Sequence, residues 1–341
     1  MKTELLNEKQ LAKAAEIIRS GGLLGVPTET VYGLGADGLN PAAVRSIFRA
    51  KGRPQDNPLI LHIWSADWLE RYCRDIPAAA FRLAEQFWPG PLTMILRRRP
   101  VVPDAVTAGL DTVGMRCPAH PLCRQVIRLA QTPVAAPSGN TSGRPSPTTA
   151  RHMLADMEGR IPAVLDGGPC EVGVESTILD LTVSPPRLLR PGGVTLEQLR
   201  EALGEVAVDS AVTRSLEEGE QPRAPGMKYR HYAPKAPVVV VTGEPEATAA
   251  YIRQKISHTP GDGVICFDEY ADRFPDCPLE RLGPAADKRE QARRVFDALR
   301  AMDAVDVRCI WAQCPDSGGI GLAVVNRLNK AAGFHIIEVE G

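Results

Sequence analysis

The order of hydrophobic and polar positions along the chain predicts a mixed α/β protein. Residues 8–20 carry apolar side chains at helical spacing and run into a glycine pair, which is a common end for a helix. A short apolar strand is predicted over residues 23–26. Asn40-Pro41 offers a cap residue followed by proline at the first helical position, so the pair predicts the start of a second helix.

The pattern up to residue 204 does not alternate strictly between strand and helix. Further strands are predicted near 59–63, 93–97, 112–116, 133–136, 163–166 and 176–182, with helices near 78–88, 121–130, 148–156 and 195–203. Because the alternation is incomplete, we expect a twisted mixed sheet with flanking helices in this domain, residues 1–204.

A change in composition follows Gly204. Residues 205–236 hold a charged run and then an aromatic and basic cluster at 224–234, whereas an inert linker would be small and polar. We therefore expect this segment to dock onto another surface. Strands and helices then alternate cleanly, which predicts a smaller, Rossmann-like parallel α/β domain over residues 237–341.

Composition narrows the possible functions. The chain has 341 residues, enough for two domains, and its net charge of −1 gives no overall basic field for nucleic acid. The eight cysteines form no C-x-x-C pair, so we interpret them as reduced thiols and predict no metal site. No apolar run has the length of a membrane span or the form of a signal peptide, which predicts a cytoplasmic protein.

Two loops are candidates for binding an anion. In the first, Lys51 and Arg53 flank a glycine, so both cations can contact one anion. Two prolines stiffen the residues that follow, which reduces the entropy lost on binding. In the second, residues 135–148 place small hydroxyl and amide side chains between a strand and a helix, where phosphates are often held. Ordinary solvated or capped loops explain either stretch as well.

Two arginines near strand ends are further candidates. Arg190 ends an apolar strand, and alternation along 112–116 places Thr112 and Arg116 on one face. A structural salt bridge is an equal alternative for Arg116. His62 is by its type more often a core histidine than a ligand, although it lies near the Lys51 loop. P-loop, G-x-G-x-x-G, H-E-x-x-H and G-x-S-x-G signatures are missing.

Taken together, several short motifs resemble the YrdC-like family. They are Pro27 to Leu34 (PTETVYGL), Lys51-x-Arg53-Pro54, Ser138-x-Asn140 and, in the linker, Ala224 to Pro234 (APGMKYRHYAP). With the second domain, the chain is similar to the two-domain, Sua5-type branch, the threonylcarbamoyl-AMP synthases. The resemblance implies synthesis of threonylcarbamoyl-AMP and pyrophosphate from L-threonine, bicarbonate and ATP. A downstream threonylcarbamoyl-transferase complex would then modify adenosine 37 of tRNA to t6A.

The resemblance also implies roles for individual residues. Lys51 and Arg53 would be catalytic, and the linker of residues 205–236 would dock on the active site. L-Threonine would be contacted by Thr30, His62, Arg116, Ala136 and Ser176. ATP, with its Mg²⁺, would be held by Lys51, Arg53, Asn57, Thr112, Ser138, Asn140, Ser146, Arg190 and Arg230.

Two other functions are compatible with the residues. The first is an enzyme of the same fold that forms a carbamoyl-adenylate, although that branch usually carries acylphosphatase and zinc-finger modules. The second is a protein that binds double-stranded RNA weakly through a concave basic surface, against which the near-neutral charge argues.

Overall fold

A computed structural model describes residues 2–213 and 232–340. The strands in these ranges are β1 (Glu4–Leu6), β2 (Leu24–Val26), β3 (Gly33–Asp37), β4 (Ile60–His62), β5 (Cys73–Arg74), β6 (Leu92–Arg98), β7 (Thr112–Arg116), β8 (Val134–Ala135), β9 (Ala163–Leu165), β10 (Thr177–Asp180), β11 (Arg187–Arg190), β12 (Ala207–Val208), β13 (Val238–Gly243), β14 (Gly263–Phe267), β15 (Leu279–Gly283), β16 (Ile310–Gln313) and β17 (Ile336–Val339).

The helices of the same ranges flank these strands. They are α1 (Leu11–Arg19), α2 (Pro41–Lys51), α3 (Leu69–Tyr72), α4 (Ala78–Phe87), α5 (Asp104–Thr107), α6 (Pro121–Ala130), α7 (Ala150–Met157), α8 (Leu196–Leu203), α9 (Pro245–Ser257), α10 (Lys288–Met302) and α11 (Gly321–Ala331). In the part of the chain that is described, no helix is long and apolar enough to cross a membrane.

The first domain is built on one mixed sheet, as the incomplete alternation predicts. Its strands are hydrogen-bonded in the order β1-β9-β2-β3-β8-β4-β7-β6-β10-β11-β12, and β5 pairs with β6 beside this path. β4 and β7 run parallel, whereas β8 on the other side of β4 is antiparallel. In the β4–β7 register, His62 lies beside Arg116, so the strand pairing itself brings these two side chains together.

The second domain has a separate parallel sheet, which confirms the prediction for this region. Its order is β15-β14-β16-β13-β17, and each neighbouring pair is parallel. Helices α10 and α11 pack against each other, and α10 also packs on β15. The buried apolar cluster of this domain includes Val31 and Val174 of the first domain, so the two domains share an apolar interface.

Most predicted elements are present, and several short strands were missed. α2 begins as predicted, because the Asn40 side chain accepts hydrogen bonds from the backbone N–H groups of Ala42 and Ala43 and Pro41 occupies the first turn. The sequence analysis missed β1, β3, β5, β12 and β15. β3 has the sequence GLGAD, whose two glycines hide a strand that is buried between β2 and β8.

Candidate active site

A polar cleft lies over one face of the first sheet. Alternate residues of β4, Ile60 and His62, face it, and Arg116 of the neighbouring β7 joins them. The cleft holds about 710 Å³ of unfilled space, part of it continuous with solvent. Segments after β2, β8 and α2 complete the walls. The polar and charged lining residues are Thr28, Thr30, Lys51, Arg53, His62, Arg116, Ser138, Asn140, Ser142, Glu175, Ser176, Arg190 and Tyr232.

Lys51 is the buried cation at one end of this cleft. It is the last residue of α2, and Gly52 ends the helix with a left-handed backbone (φ 62°) that glycine adopts without strain. The Lys51 Nζ donates to the carbonyl of Ser138 at 2.5 Å and to the carbonyl of Asn140. Burial, and then the charge of Arg53, hold the pKa of Lys51 well below its ordinary value. An arriving anion would therefore favour the protonated amine.

The loop after β8 is folded around its own polar groups. The Asn140 Nδ2 donates to the carbonyls of Thr141 and Arg144, both at 2.9 Å. The Asn140 Oδ1 is buried and has no partner among the described residues. Two carbonyls of this loop thus hold Lys51, and its small polar side chains lie at the rim of the cleft.

The other half of the cleft centres on His62 and Arg116. Arg116 is buried, and its Nη2 donates to Glu29 Oε1 at 2.7 Å, so part of its charge is neutralised inside the protein. Burial, and then the Arg116 charge, lower the pKa of His62 to about 3. The imidazole is therefore neutral at physiological pH. Its Nδ1 is buried with no partner within residues 2–213 and 232–340, which leaves it available to a ligand.

A hydroxyl and an arginine close the floor between the two halves. The Ser176 Oγ lies 2.8 Å from the Thr93 hydroxyl, and Arg190 donates to the Ser176 carbonyl at 3.0 Å and to its Oγ at 3.2 Å. Gly192 makes this packing possible, because a Cβ there would lie 2.3 Å from the backbone nitrogen of Thr177. Burial lowers the pKa of Arg190 to about 10, so the guanidinium stays charged.

Glu175 is a carboxylate within this basic cleft, and a residue of the second domain compensates its charge. The Arg327 Nε of α11 donates to Glu175 Oε2 at 2.8 Å, and the Ser146 hydroxyl donates to Oε1 at 2.6 Å. Burial alone would raise the pKa of Glu175, but Arg327, Arg190 and the Ser146 hydrogen bond lower it to about 2. The second domain therefore contributes directly to the electrostatics of the cleft.

Tyr232 joins the cleft from the C-terminal side of the linker. Its side chain is buried, its ring centre lies 5.1 Å from that of Phe296, and the Arg327 guanidinium lies 5.7 Å from its ring centre. The next residue, Ala233, donates its backbone N–H to the Gly143 carbonyl at 2.9 Å. The end of the linker thus contacts both the second domain and the loop after β8.

The structure gathers most of the residues that the sequence singled out. Those lining the cleft are Thr30, Lys51, Arg53, His62, Arg116, Ala136, Ser138, Asn140, Ser176 and Arg190. Asn57 and Ser146 are fully buried outside the lining, and Thr112 is half-buried four residues before Arg116 on β7. Arg230, like most of the 224–234 cluster, lies outside the described residues.

Sequence reasoning gave no role to Glu29, Glu175 or Arg327. The first two lie beside residues that it did select, and nothing in their immediate sequence separates them from surface carboxylates. A signal for Arg327 was present, because it interrupts the apolar stripe of α11 between Val324 and Leu328. A charged residue on the buried face of a helix needs a partner, and here that partner is in another domain.

The arrangement is suited to bringing two anions together. Lys51, Arg53, Arg116 and Arg190 provide positive charge, while the neutral His62 and two threonines provide uncharged hydrogen-bonding groups. In the described ranges, no group of three or more His, Cys, Asp or Glu side chains is placed to hold a metal ion. Within the described lining, Glu175 is the one carboxylate, and it is already engaged by Arg327 and Ser146.

Comparison with known proteins agrees with this geometry. A family model described as "Telomere recombination" matches residues 16–192, and one described as "Threonylcarbamoyl-AMP synthase, C-terminal domain" matches residues 194–333. The threonylcarbamoyl-AMP synthase of Pyrococcus abyssi is 46% identical over 337 residues, 98% of each chain. That of Bacillus subtilis is 44% identical over 336 residues, covering 97% of this chain and 95% of its own.

A solved structure extends the similarity to the whole fold. The crystal structure of P. abyssi Sua5 in complex with L-threonine superposes with a TM-score of 0.94 at 44% identity, covering 100% of both chains. The agreement includes both domains, in line with the mixed first sheet and the parallel second sheet found above. This chain belongs to the Sua5-type, two-domain threonylcarbamoyl-AMP synthase family.

Proposed function

We propose that the chain is an L-threonylcarbamoyladenylate synthase, a nucleotidyltransferase that converts L-threonine, bicarbonate and ATP to threonylcarbamoyl-AMP and pyrophosphate. One observation carries the proposal: a single cleft joins an anion-binding end to an end built from a neutral histidine and an arginine. The near full-length similarity to a threonine-bound structure supports the same assignment.

The threonine end of the cleft explains how an amino acid would be oriented. Arg116 would bind the carboxylate, since its guanidinium retains donors beyond those used by Glu29 and Gly90. Thr30, Ala136 and Ser176 line the same region. The neutral His62 adds no positive charge that would repel an ammonium group. The amine must first release its proton. It then combines with carbon dioxide, releasing a second proton, or with bicarbonate, releasing water, to give the carbamate.

The anion end would hold ATP. The carbamate oxygen attacks the α-phosphorus, the bond from that phosphorus to the bridging oxygen breaks, and pyrophosphate leaves with the electron pair. Lys51, Arg53 and Arg190 would neutralise the charges that meet during this step. Ser138 and Asn140 would line the nucleotide, and Mg²⁺ would enter with the ATP phosphates. Roles for Asn57, Thr112, Ser146 and Arg230 follow from the family resemblance alone.

The product defines the partners in this proposal. Threonylcarbamoyl-AMP is an activated mixed anhydride, so a transferase must consume it, and the family resemblance implies transfer to adenosine 37 of tRNA. We therefore include a downstream threonylcarbamoyl-transferase complex in the proposed function.

The proposal is tested by pyrophosphate release from ATP and bicarbonate with L-threonine, with L-serine, and with no amino acid. We expect release to depend on L-threonine and to be weaker with L-serine. Carbamoyl phosphate in place of threonine tests the carbamoyl-adenylate alternative. Salt-dependent RNA binding without any pyrophosphate release would replace the proposal by the RNA-binding alternative.

A further inference from the structure

A buried ion pair connects α10 of the second domain to α7 of the first. The Arg300 Nη2 donates to Asp156 Oδ2 at 2.5 Å, and the carboxyl side chain of Asp156 is fully buried. Arg144 binds the other oxygen of Asp156 at 3.2 Å and Asp303 at 3.0 Å. Breaking such a pair leaves a buried charge without compensation, so these contacts fix one domain against the other.

Arg300 also holds the backbone of the loop after β8. Its Nη2 donates to the Pro145 carbonyl at 2.5 Å, and its Nε donates to the Ser146 carbonyl at 3.2 Å. One guanidinium thus binds two successive carbonyls and a carboxylate, a geometry that suits the planar fork of arginine and that lysine cannot reproduce in full.

Hydrogen bonds joined by the backbone of the loop lead from these carbonyls to Lys51. The adjacent Arg144 carbonyl accepts from the Asn140 side chain, and the Asn140 carbonyl accepts from the Lys51 ammonium. Since Lys51 Nζ also binds the Ser138 carbonyl, the position of the loop decides where this cation lies. The second domain therefore reaches the anion-binding end of the cleft through backbone groups and makes no contact with the reacting atoms on this path.

We propose that Arg300 is a positioning residue for the nucleotide: it clamps the loop of residues 138–148 to the second domain, so that Lys51 and the loop's polar groups face ATP. The inference rests on the proposed function and assigns a role to the second domain. The inference predicts different effects on the affinities for ATP and for L-threonine. The His62–Arg116 end of the cleft is formed by strand pairing within the first sheet and does not use this clamp.

The experiment compares full-length Arg300→Met, Arg300→Lys and Arg293→Met. Arg293 is the matched control, because it lies on the same helix with its side chain 54% exposed and pairs with Glu290. For each variant we would measure the melting temperature, the dissociation constants of L-threonine and of a non-hydrolysable ATP analogue by calorimetry, and kcat and KM for ATP.

We expect Arg300→Met to lower kcat/KM for ATP by about 10- to 100-fold, mainly through KM, while L-threonine affinity changes less than about twofold. Arg300→Lys should recover part of the loss, and Arg293→Met should match the wild type. A role limited to stability would lower the melting temperature while leaving both affinities unchanged, or weaken both together in the folded protein; either result overturns the proposal.

The same measurements separate this inference from the proposed function. If the wild type releases no threonine-dependent pyrophosphate, the proposed function fails, whereas the effect of Arg300→Met on binding of the ATP analogue can still be read. If the wild type is active and Arg300→Met binds the analogue as tightly, the positioning role fails and the proposed function stands. If Arg300→Met does not fold, Asp156→Asn replaces it. This change removes the charge that orients Arg300 and keeps the size of the side chain at position 156.

Discussion

At the scale of single residues, the environment of Lys51 explains how the cleft can respond to an anion. The amine is buried and surrounded by backbone carbonyls, while Arg53 opposes its charge. The residue types and their spacing identified the Lys51 loop from sequence. The lowered pKa of Lys51 could not be predicted from sequence, because it depends on burial beneath a loop that lies about ninety residues further along the chain.

This environment predicts that ATP binding takes up protons. Phosphates near Lys51 raise its pKa toward the ordinary value, so proton uptake on ATP binding should increase as the pH is raised toward that value. Calorimetry in two buffers of different ionisation enthalpy measures this uptake. Lys51→Met should abolish most of it and cost on the order of 2–4 kcal/mol of transition-state stabilisation. The control is Arg45→Met on the exposed face of α2. Equal proton uptake in Lys51→Met and the wild type would contradict the assignment.

His62 gives a pH dependence of stability. Its pKa is about 3 in the folded protein and about 6.5 in the unfolded chain, so between these values only the unfolded chain binds a proton. Stability is therefore lost as the pH falls through this window, by about 1.4 kcal/mol between pH 7.5 and 5.5. Urea unfolding at both pH values should show that His62→Gln removes this loss, whereas the exposed control His258→Gln retains it. The same loss in His62→Gln would show that His62 is not buried in its neutral form.

The Arg327–Glu175 pair predicts a coupled effect on stability. Arg327→Met leaves the carboxylate buried without its partner and should lower the free energy of unfolding by about 3–5 kcal/mol. Adding Glu175→Gln removes that charge and should restore part of the loss. The pKa of Glu175 is about 2 in the folded protein and about 4.5 in the unfolded chain. The ion pair therefore stabilises the folded protein fully above pH 4.5 and progressively less as the pH falls toward 2. Additive losses in the double variant, measured by urea unfolding at pH 7.5, would exclude direct coupling.

At the scale of elements, the sequence predicts α2 and β4 well and misses short strands such as β1. Apolar periodicity and cap residues are local signals, so the Asn40 cap and the buried run ending at His62 could both be recognised. β1, by contrast, is a three-residue strand that pairs with β9 about 160 residues away. Such pairing is a long-range event that a local pattern does not encode.

The turn of residues 190–193 packs so closely against residues 175–177 that we expect Gly192 to tolerate no side chain. Gly192→Ala would place a Cβ 2.3–2.4 Å from backbone atoms of Thr177 and Glu175, so the turn must shift, which we expect to cost about 1–3 kcal/mol and to weaken activity. Urea unfolding and pyrophosphate release measure the two effects. The exposed Gly109→Ala, which meets no neighbour within 4 Å and carries only the strain of its left-handed backbone, is the control. Full activity in Gly192→Ala would show that this turn does not shape the cleft.

At the scale of the whole molecule, two domains were predictable and their cooperation was not. Chain length, the composition change after Gly204 and the cleaner alternation beyond it indicated two units, and the two separate sheets agree with that organisation. Arg300, however, is an ordinary helix residue in sequence, and the interruption of the α11 apolar stripe by Arg327 does not show which residue is its partner. Both arginines become part of the site only because α10 and α11 meet the first domain, and this depends on the packing of apolar residues from both domains.

Incorporation of labelled bicarbonate tests the central claim, that this cleft joins threonine, bicarbonate and ATP, most directly. The full-length protein is incubated with ¹³C-bicarbonate, L-threonine and ATP, and the nucleotide products are identified by mass spectrometry. We predict a threonylcarbamoyl-AMP that carries one ¹³C, formed together with pyrophosphate, absent without L-threonine and strongly reduced with Lys51→Met. Unlabelled AMP or ADP as the sole product would contradict the account.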